Sequence, residues 1–140
     1  PQDDVQAVKW FRLAADQGNA DAQLNLGLMY DVGWGVPQNH AEAVKWYRLA
    51  ADQGHDRAQL SLGYMYDIGQ GVPQSYPEAV KWYRLAADQG YTFAQYTLGG
   101  MYANGRGMSQ DNVQAHKWFN LAGAGGEEHG RKNRDIVAVR

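Results

Sequence analysis

Side chains that often carry catalysis or bind metals occur in this chain without the spacing that such chemistry needs. The four histidines are His40, His55, His116 and His129. None of them stands in an H-E-x-x-H motif, and no two lie four residues apart on one helix face. The chain has no cysteine, which excludes thiolate zinc sites, disulfides and thiol nucleophiles. We therefore expect no metal and no cofactor.

Serines and glycine-rich loops do not supply an active site either. The serines stand in neither a G-x-S-x-G nor an S-x-x-K motif. Three loops read G-x-G, beginning at Gly33, Gly69 and Gly105, but none continues to the G-K-[ST] of a phosphate-binding loop. We interpret these loops as turns. The sequence thus predicts a protein without catalytic residues.

Composition excludes several classes of partner. The 140 residues carry 13 basic and 15 acidic side chains that alternate along the chain, for a net charge of −2. Such a balance argues against nucleic acid, which is bound through clustered positive charge. No run of eighteen apolar residues occurs, so the sequence predicts no membrane segment.

The strongest pattern is an internal repeat. The thirteen residues EAVKWYRLAADQG occur as residues 42–54 and again as 78–90. Residues 6–18 form a closely similar first copy, and residues 114–126 form a decayed fourth copy, at a constant spacing of 36 residues. A fixed period of this length predicts a solenoid of repeated helical units.

Each repeat contains the signals for two helices. Asp3, Asn39, Ser75 and Asp111 are good N-cap residues, and a Gln or Glu follows each of them three positions later. The helix that follows, which we name helix A, has an apolar stripe and ends at a glycine such as Gly18. After a short turn comes a second helix, which we name helix B and which ends at the G-x-G sequence. The short turn predicts antiparallel helices.

The repeated tryptophans predict how the units hold together. A tryptophan side chain has a surface of about 200 Å² to bury, which one helix pair cannot cover by itself. We therefore expect each ring to pack between successive repeats as part of the structural core. These residues are Trp10, Trp46, Trp82 and Trp118. Small residues such as Gly27 and its copies should let the helices approach closely.

The pattern A-x-x-W-[FY]-x-x-A-A-x-x-G, followed by A-x-x-x-L-G-x-x-Y, resembles the Sel-one-like repeat, a relative of the tetratricopeptide repeat. The resemblance implies an all-α, right-handed α-solenoid of antiparallel helix pairs with a concave groove. It also implies an adaptor or scaffold that binds a protein or peptide. Alternatives are a carbohydrate or cell-wall binding module that uses Trp34 and Tyr64 as stacking platforms, a structural spacer, and, least supported by the motifs, a cell-wall enzyme.

We expect repeats at residues 1–36, 37–72 and 73–108, a fourth helix A at 109–126, and a truncated C-terminal capping helix at 127–140. Pro1 is in register with Pro37 and Pro73, so we expect the chain to begin at a repeat junction of a longer protein.

One candidate binding surface is a charged ribbon on helix A. The family resemblance places this ribbon in the concave groove, where arginine suits a carboxylate ligand. A ladder in which Asp16 pairs with Arg48 of the next repeat is one possibility, and a merely solvated polar face is the other. The basic residues of the ribbon are Lys9, Arg12, Lys45, Arg48, Lys81 and Arg84.

The other candidate surface is a strip on helix B where the repeats differ, which we name the variable strip. Large side chains at non-repeating positions can seed a specific interface, and neutral drift on an outer surface is the alternative. Its helical positions are Asp21, Asn25, Leu28 and Val32, then Arg57, Ser61, Tyr64 and Ile68, then Phe93, Thr97, Gly100 and Asn104. Its loop positions are Trp34, Gln70 and Arg106.

Overall fold

The computed structural model describes residues 2–125, which form seven α-helices and contain no strand. The helices are α1 (Gln2–Asp16), α2 (Ala20–Val32), α3 (His40–Asp52), α4 (Asp56–Ile68), α5 (Tyr76–Asp88), α6 (Thr92–Asn104) and α7 (Asn112–Gly125). Odd-numbered helices are helix A and even-numbered helices are helix B of each repeat. The predicted all-α repeat architecture is confirmed. The expected capping helix at 127–140 lies outside the described residues.

Side-chain caps fix where most helices begin. Asn39, Ser75 and Asp111 each accept a hydrogen bond from the backbone N–H three residues later, as the capping-box spacing predicts. Asp3 was wrongly predicted to cap α1, because α1 begins at Gln2 and contains it. In later repeats the N–H of the capping residue donates to the preceding helix B, for example Asn39 to the Tyr30 carbonyl at 2.8 Å. Within the described residues, no preceding helix B is present to accept a hydrogen bond from the Asp3 N–H.

The turn between helices A and B depends on a glycine with left-handed backbone geometry. Gly54 has φ +91°, and its N–H donates to the Ala51 carbonyl at 3.0 Å. The next N–H, that of His55, reaches back to the Ala50 carbonyl at 3.2 Å. These bonds satisfy the last carbonyls of helix A and reverse the chain within a few residues. The helices of one repeat therefore lie antiparallel, as predicted.

A second glycine sets the distance between successive repeats. A Cβ atom on Gly63 of α4 would lie 2.8 Å from the ring of Tyr83 on α5. A Cβ on Gly27 of α2 would lie 2.7 Å from Tyr47 on α3. Both distances are too short for any side chain, so glycine lets each helix B pack directly on the aromatic ring of the next helix A.

Each buried tryptophan covers the core of the repeat before it. Trp46 of α3 joins Leu26 and Met29 of the first repeat, and Trp82 and Trp118 do the same one and two repeats later. The prediction of buried tryptophans holds for these three, which are 5–7% exposed. It is wrong for Trp10, which is 69% exposed. The reason is that no described repeat precedes α1 to receive this ring.

A ladder of glutamine pairs, each with one buried and one exposed member, also joins the repeats, and our sequence analysis missed it. The Gln53 amide donates to Gln23 at 2.8 Å, and Gln89 donates to Gln59 at 2.8 Å. The third member, Gln95, is 6% exposed and its Oε1 has no partner. The next donor in the series would stand at position 125, where the decayed fourth copy has glycine. The recurrence of Gln at equivalent positions was the signal for this ladder.

Candidate functional site

The arginines of the helix A ribbon bond within their own repeats. The guanidinium of Arg48 donates to the Tyr66 hydroxyl of α4 and lies 5.6 Å from the centre of that ring. The same pair recurs one repeat earlier and one repeat later, as Arg12 with Tyr30 and Arg84 with Tyr102. All three arginines are partly buried. Their donors are thus partly used to tie helix A to helix B.

The remaining ribbon residues face solvent. Lys9, Lys45 and Lys81 are exposed, and the Lys81 ammonium lies 5.2 Å from the centre of the Trp82 ring. Within residues 2–125, no ion pair joins Asp16 to Arg48, so the ladder that we considered is not formed. A depression lined by Lys9, Arg12 and their neighbours lies on α1 alone and does not connect repeats.

The variable strip, in contrast, contributes to a cavity shared by three repeats. Its volume is about 200 Å³. Helix α2 contributes Leu28 and Asp31, α4 contributes Leu60, Ser61, Tyr64 and Met65, and α6 contributes Phe93. The aromatic residues of two helices A, Tyr47 and Tyr83, complete the lining. Successive helices B thus bring together residues that stand more than sixty positions apart in the chain.

Residues unique to their repeat give this cavity its shape. At the position of Leu28 the other repeats have Tyr64 and Gly100, and at the position of Phe93 they have Asp21 and Arg57. The two helices A that complete the lining, α3 and α5, are nearly identical in sequence. The cavity is therefore specific to this combination of repeats.

Asp31 supplies the charge of the cavity. One carboxylate oxygen lies 2.8 Å from Nδ1 of His40, and the other accepts a hydrogen bond from the Tyr47 hydroxyl at 3.1 Å. Burial raises the pKa of Tyr47 well above its ordinary value, and the negative charge of Asp31 adds to the shift. The phenol therefore stays protonated and donates to the carboxylate.

A second carboxylate–tyrosine pair lies one repeat later. The Tyr83 hydroxyl donates to Asp67 at 3.1 Å, and the Arg106 guanidinium lies 3.6 Å from the other oxygen of that carboxylate. Arg106 also sits over the ring of Tyr76, 5.4 Å from its centre. In the following repeat both members of the pair are replaced, by Ala103 and Phe119. Sequence analysis missed these pairs, and their joint loss was the signal that could have revealed them.

The remaining strip residues do not line the cavity, and some of them are exposed. Trp34 is 60% exposed, and Arg57 and Arg106 are also exposed. The two aromatic residues named for the carbohydrate alternative, Trp34 and Tyr64, are both accessible, but only Tyr64 borders the cavity. The structure thus separates the predicted strip into cavity residues and outlying residues.

Residues 2–125 contain neither a cluster of metal ligands nor a membrane-spanning helix. No group of three or more potential metal ligands occurs among them. None of their helices has the length and apolar character needed to cross a bilayer.

Comparison with known families assigns these repeats to an established type. The family model described as Sel1 repeat matches residues 1–19, 20–55, 56–91 and 92–127. Its units begin at helix B, whereas the boundaries that we proposed precede helix A, and the period is the same. No curated protein matches the chain significantly.

Solved structures show the same repeat architecture. A protective antigen present in uropathogenic Escherichia coli strains, which displays an SLR fold, is 47% identical with a TM-score of 0.85, over 87% of this chain and 26% of that one. A Sel1 repeat protein from Oxalobacter formigenes is 41% identical with a TM-score of 0.84, over 87% of this chain and 50% of that one. The chain thus spans half or less of these two proteins.

A more distant structure shares only the fold. Helicobacter pylori cysteine rich protein B is 21% identical, with a TM-score of 0.69, over 91% of both chains. The present chain has no cysteine, so its repeats do without disulfides.

Proposed function

The chain belongs to the Sel1 repeat family, and we propose that it is a protein-binding module whose partner lies across the face formed by α2, α4 and α6. Sel1 repeats typically mediate protein interactions, and proteins of this fold are generally scaffolds without catalytic activity. The partner of the present chain would be a peptide or an extended segment of another protein.

One observation carries the proposal, namely that three successive helices B share one cavity. Ligand sites are concave and largely apolar, with a few polar groups that fix orientation. The cavity has this composition, with Leu28, Tyr64 and Phe93 beside the carboxylate of Asp31. The exposed rings of Tyr64 and Phe93 are 53% and 66% accessible, which suits them to anchor a partner.

Helix A supports binding less well than helix B. Its arginines already bond to tyrosines of the same repeat, and its pattern is nearly the same in every unit. A surface that is repeated without change offers little to discriminate one partner from another. Binding by the predicted groove residues on helix A therefore remains a second prediction to be tested.

The test is selection of peptides from a displayed random library on the immobilised chain. We expect selected peptides to bind the Tyr64→Ala/Phe93→Ala variant at least about tenfold more weakly, a difference of roughly 1.4 kcal/mol. Trp10→Ala is the matched control, since it removes an equally exposed aromatic ring away from the cavity. Lys45→Glu/Lys81→Glu tests helix A without breaking the arginine–tyrosine bonds.

Each result has a distinct meaning. Loss of binding in the cavity variant alone supports the proposal. Loss in the lysine variant alone moves the site to helix A and contradicts the helix B face. Failure to select any peptide contradicts a peptide-binding role and favours a spacer.

A further inference from the structure

We propose that the cavity shared by α2, α4 and α6 receives an arginine or lysine side chain of the partner, with its cationic group at Asp31. This inference rests on the proposed function, because it specifies the chemistry of the segment that would enter the same cavity.

The charge of the cavity is unbalanced. Among the described residues that line it, Asp31 is the only one with a formal charge. A carboxylate offers about four acceptor positions, and the contacts with His40 and Tyr47 occupy two of them. His40 contacts the carboxylate through Nδ1, and it adds a positive charge there only when the imidazole is protonated. The Asp31 side chain is 24% exposed, which leaves it accessible to a ligand.

The neighbouring repeat shows how such a carboxylate is satisfied by a guanidinium. Asp67 has the same bond to a tyrosine as Asp31, but Arg106 adds a cation 3.6 Å away. One repeat earlier, the position of Arg106 holds the neutral Gln70. Within residues 2–125, Asp31 therefore has no guanidinium partner of the kind that Asp67 receives, and its basic neighbour is His40. A basic side chain of the partner would supply such a cation.

The walls of the cavity suit the rest of a basic side chain. Leu28, Leu60 and Met65 present apolar surface to an aliphatic stem, as arginine and lysine stems require. The rings of Tyr64 and Phe93 can face a cation, which aromatic rings attract. A space of about 200 Å³ is large enough to admit one long side chain.

The experiment uses two small probes of nearly the same shape, acetyl-arginine methylamide and acetyl-citrulline methylamide, in which a neutral urea replaces the guanidinium and a carbonyl oxygen replaces one of its NH2 groups. The full chain is labelled at leucine and methionine methyl groups and titrated at millimolar probe concentrations by NMR. We expect saturable shifts at the methyl groups of Leu28, Leu60 and Met65 with the arginine probe, and at least about tenfold weaker binding of the citrulline probe.

Two matched variants test the role of Asp31. Asp31→Asn keeps an acceptor for Tyr47 but removes the charge, and Asp67→Asn makes the same change beside Arg106, outside the cavity. We expect the first to abolish the preference for arginine over citrulline and the second to preserve it. A thermal melt checks that both variants fold. If Asp31→Asn does not fold, the two-probe comparison on the unmodified chain still decides the question.

Several results would overturn the inference. These are equal binding of the two probes, unchanged arginine binding by a folded Asp31→Asn variant, and an absence of shifts at the cavity methyls. None of them contradicts the proposed function if displayed peptides still depend on Tyr64 and Phe93. Conversely, arginine binding without any selected peptide would contradict the proposed function and leave the basic-side-chain site standing.

Discussion

Helix A and helix B of the same repeats are used in different ways. The charged face of helix A is nearly constant, and its arginines bond to tyrosines that belong to helix B of the same unit. The outer face of helix B varies, and its residues from three repeats border one cavity. Positions that every unit retains thus hold the solenoid together, and positions where units differ create the shape that a partner can recognise.

The comparison predicts that changes in the repeated frame alter stability, whereas changes on the variable face alter binding. The largest expected effect is that of Trp82→Ala. This ring is 5% exposed and covers the core of the second repeat, so its loss should reduce the free energy of unfolding by about 3–5 kcal/mol. The equivalent change at the exposed Trp10 should cost less than about 0.5 kcal/mol. Urea denaturation of both variants measures the difference, and equal costs would contradict the assignment of Trp10 as uncovered.

Gly63→Leu should be the next most damaging change. Because a Cβ at this position would lie 2.8 Å from the Tyr83 ring, the larger side chain must separate α4 from α5, at a cost of about 1–3 kcal/mol or more. Gly100→Leu is the matched control on the variable strip, where a Cβ meets nothing within 4 Å. The control should melt at or above the wild-type temperature. An unchanged melt for Gly63→Leu would argue against the close contact.

High pH should weaken the junctions formed by Tyr47 and Tyr83. Burial raises the pKa of both phenols above the ordinary value of about 10 that they have in the unfolded chain. Above that pH the unfolded chain releases protons that the folded chain keeps, so stability is full below pH about 10 and falls as the pH rises. Denaturation between pH 9 and 12 should show a smaller decline for Tyr47→Phe/Tyr83→Phe. A parallel decline in this variant would assign the effect to other groups.

Arg48→Ala tests whether the charged face of helix A stabilises the fold. Loss of the bond and ring contact with Tyr66 should cost about 1 kcal/mol, whereas Lys45→Ala on the same face should cost little. Asp52→Ala should change neither stability nor its salt dependence, because residues 2–125 contain no ion pair to it. If Arg48→Ala instead left the free energy of unfolding unchanged but weakened peptide binding, helix A would be the functional face.

The smallest expected effect is an increase in stability. Gly125→Gln should restore the missing donor of the glutamine ladder to Gln95, whose buried Oε1 has no partner. Gly125 is the last residue of α7, so the restored hydrogen bond is the main expected gain, roughly 1 kcal/mol. Gly125→Ala is the control for the glycine effect alone. A Gln variant no more stable than the Ala variant would show that the ladder does not extend to the fourth repeat.

The sequence predicted much of the fold because its signals are local and repeated. Capping residues such as Asn39 and Ser75 begin their helices where expected, and the left-handed glycines end them. Asp3 and Trp10 were predicted wrongly because the equivalent residues of later repeats are held in place by contacts with the preceding repeat. A periodic sequence does not reveal which copy has no described repeat before it.

The candidate site was predictable only in part. Comparison of the repeats identified Leu28, Ser61, Tyr64 and Phe93 as variable positions, and all four line the cavity. It did not identify Asp31 and Tyr47, since these resemble their counterparts in the next repeat and so appeared to belong to the constant frame. Their pairing spans two helices, and no spacing rule within one helix describes it.

By itself, the sequence determined the helical type of residues 2–125, the period and the antiparallel pairing, because caps, glycine turns and apolar stripes act over a few residues. The tertiary structure decided which repeated side chains are buried and which variable ones meet. Helices α2, α4 and α6 come together only when the repeats pack, and this packing alone places Phe93 beside Leu28 and Asp31 in one cavity.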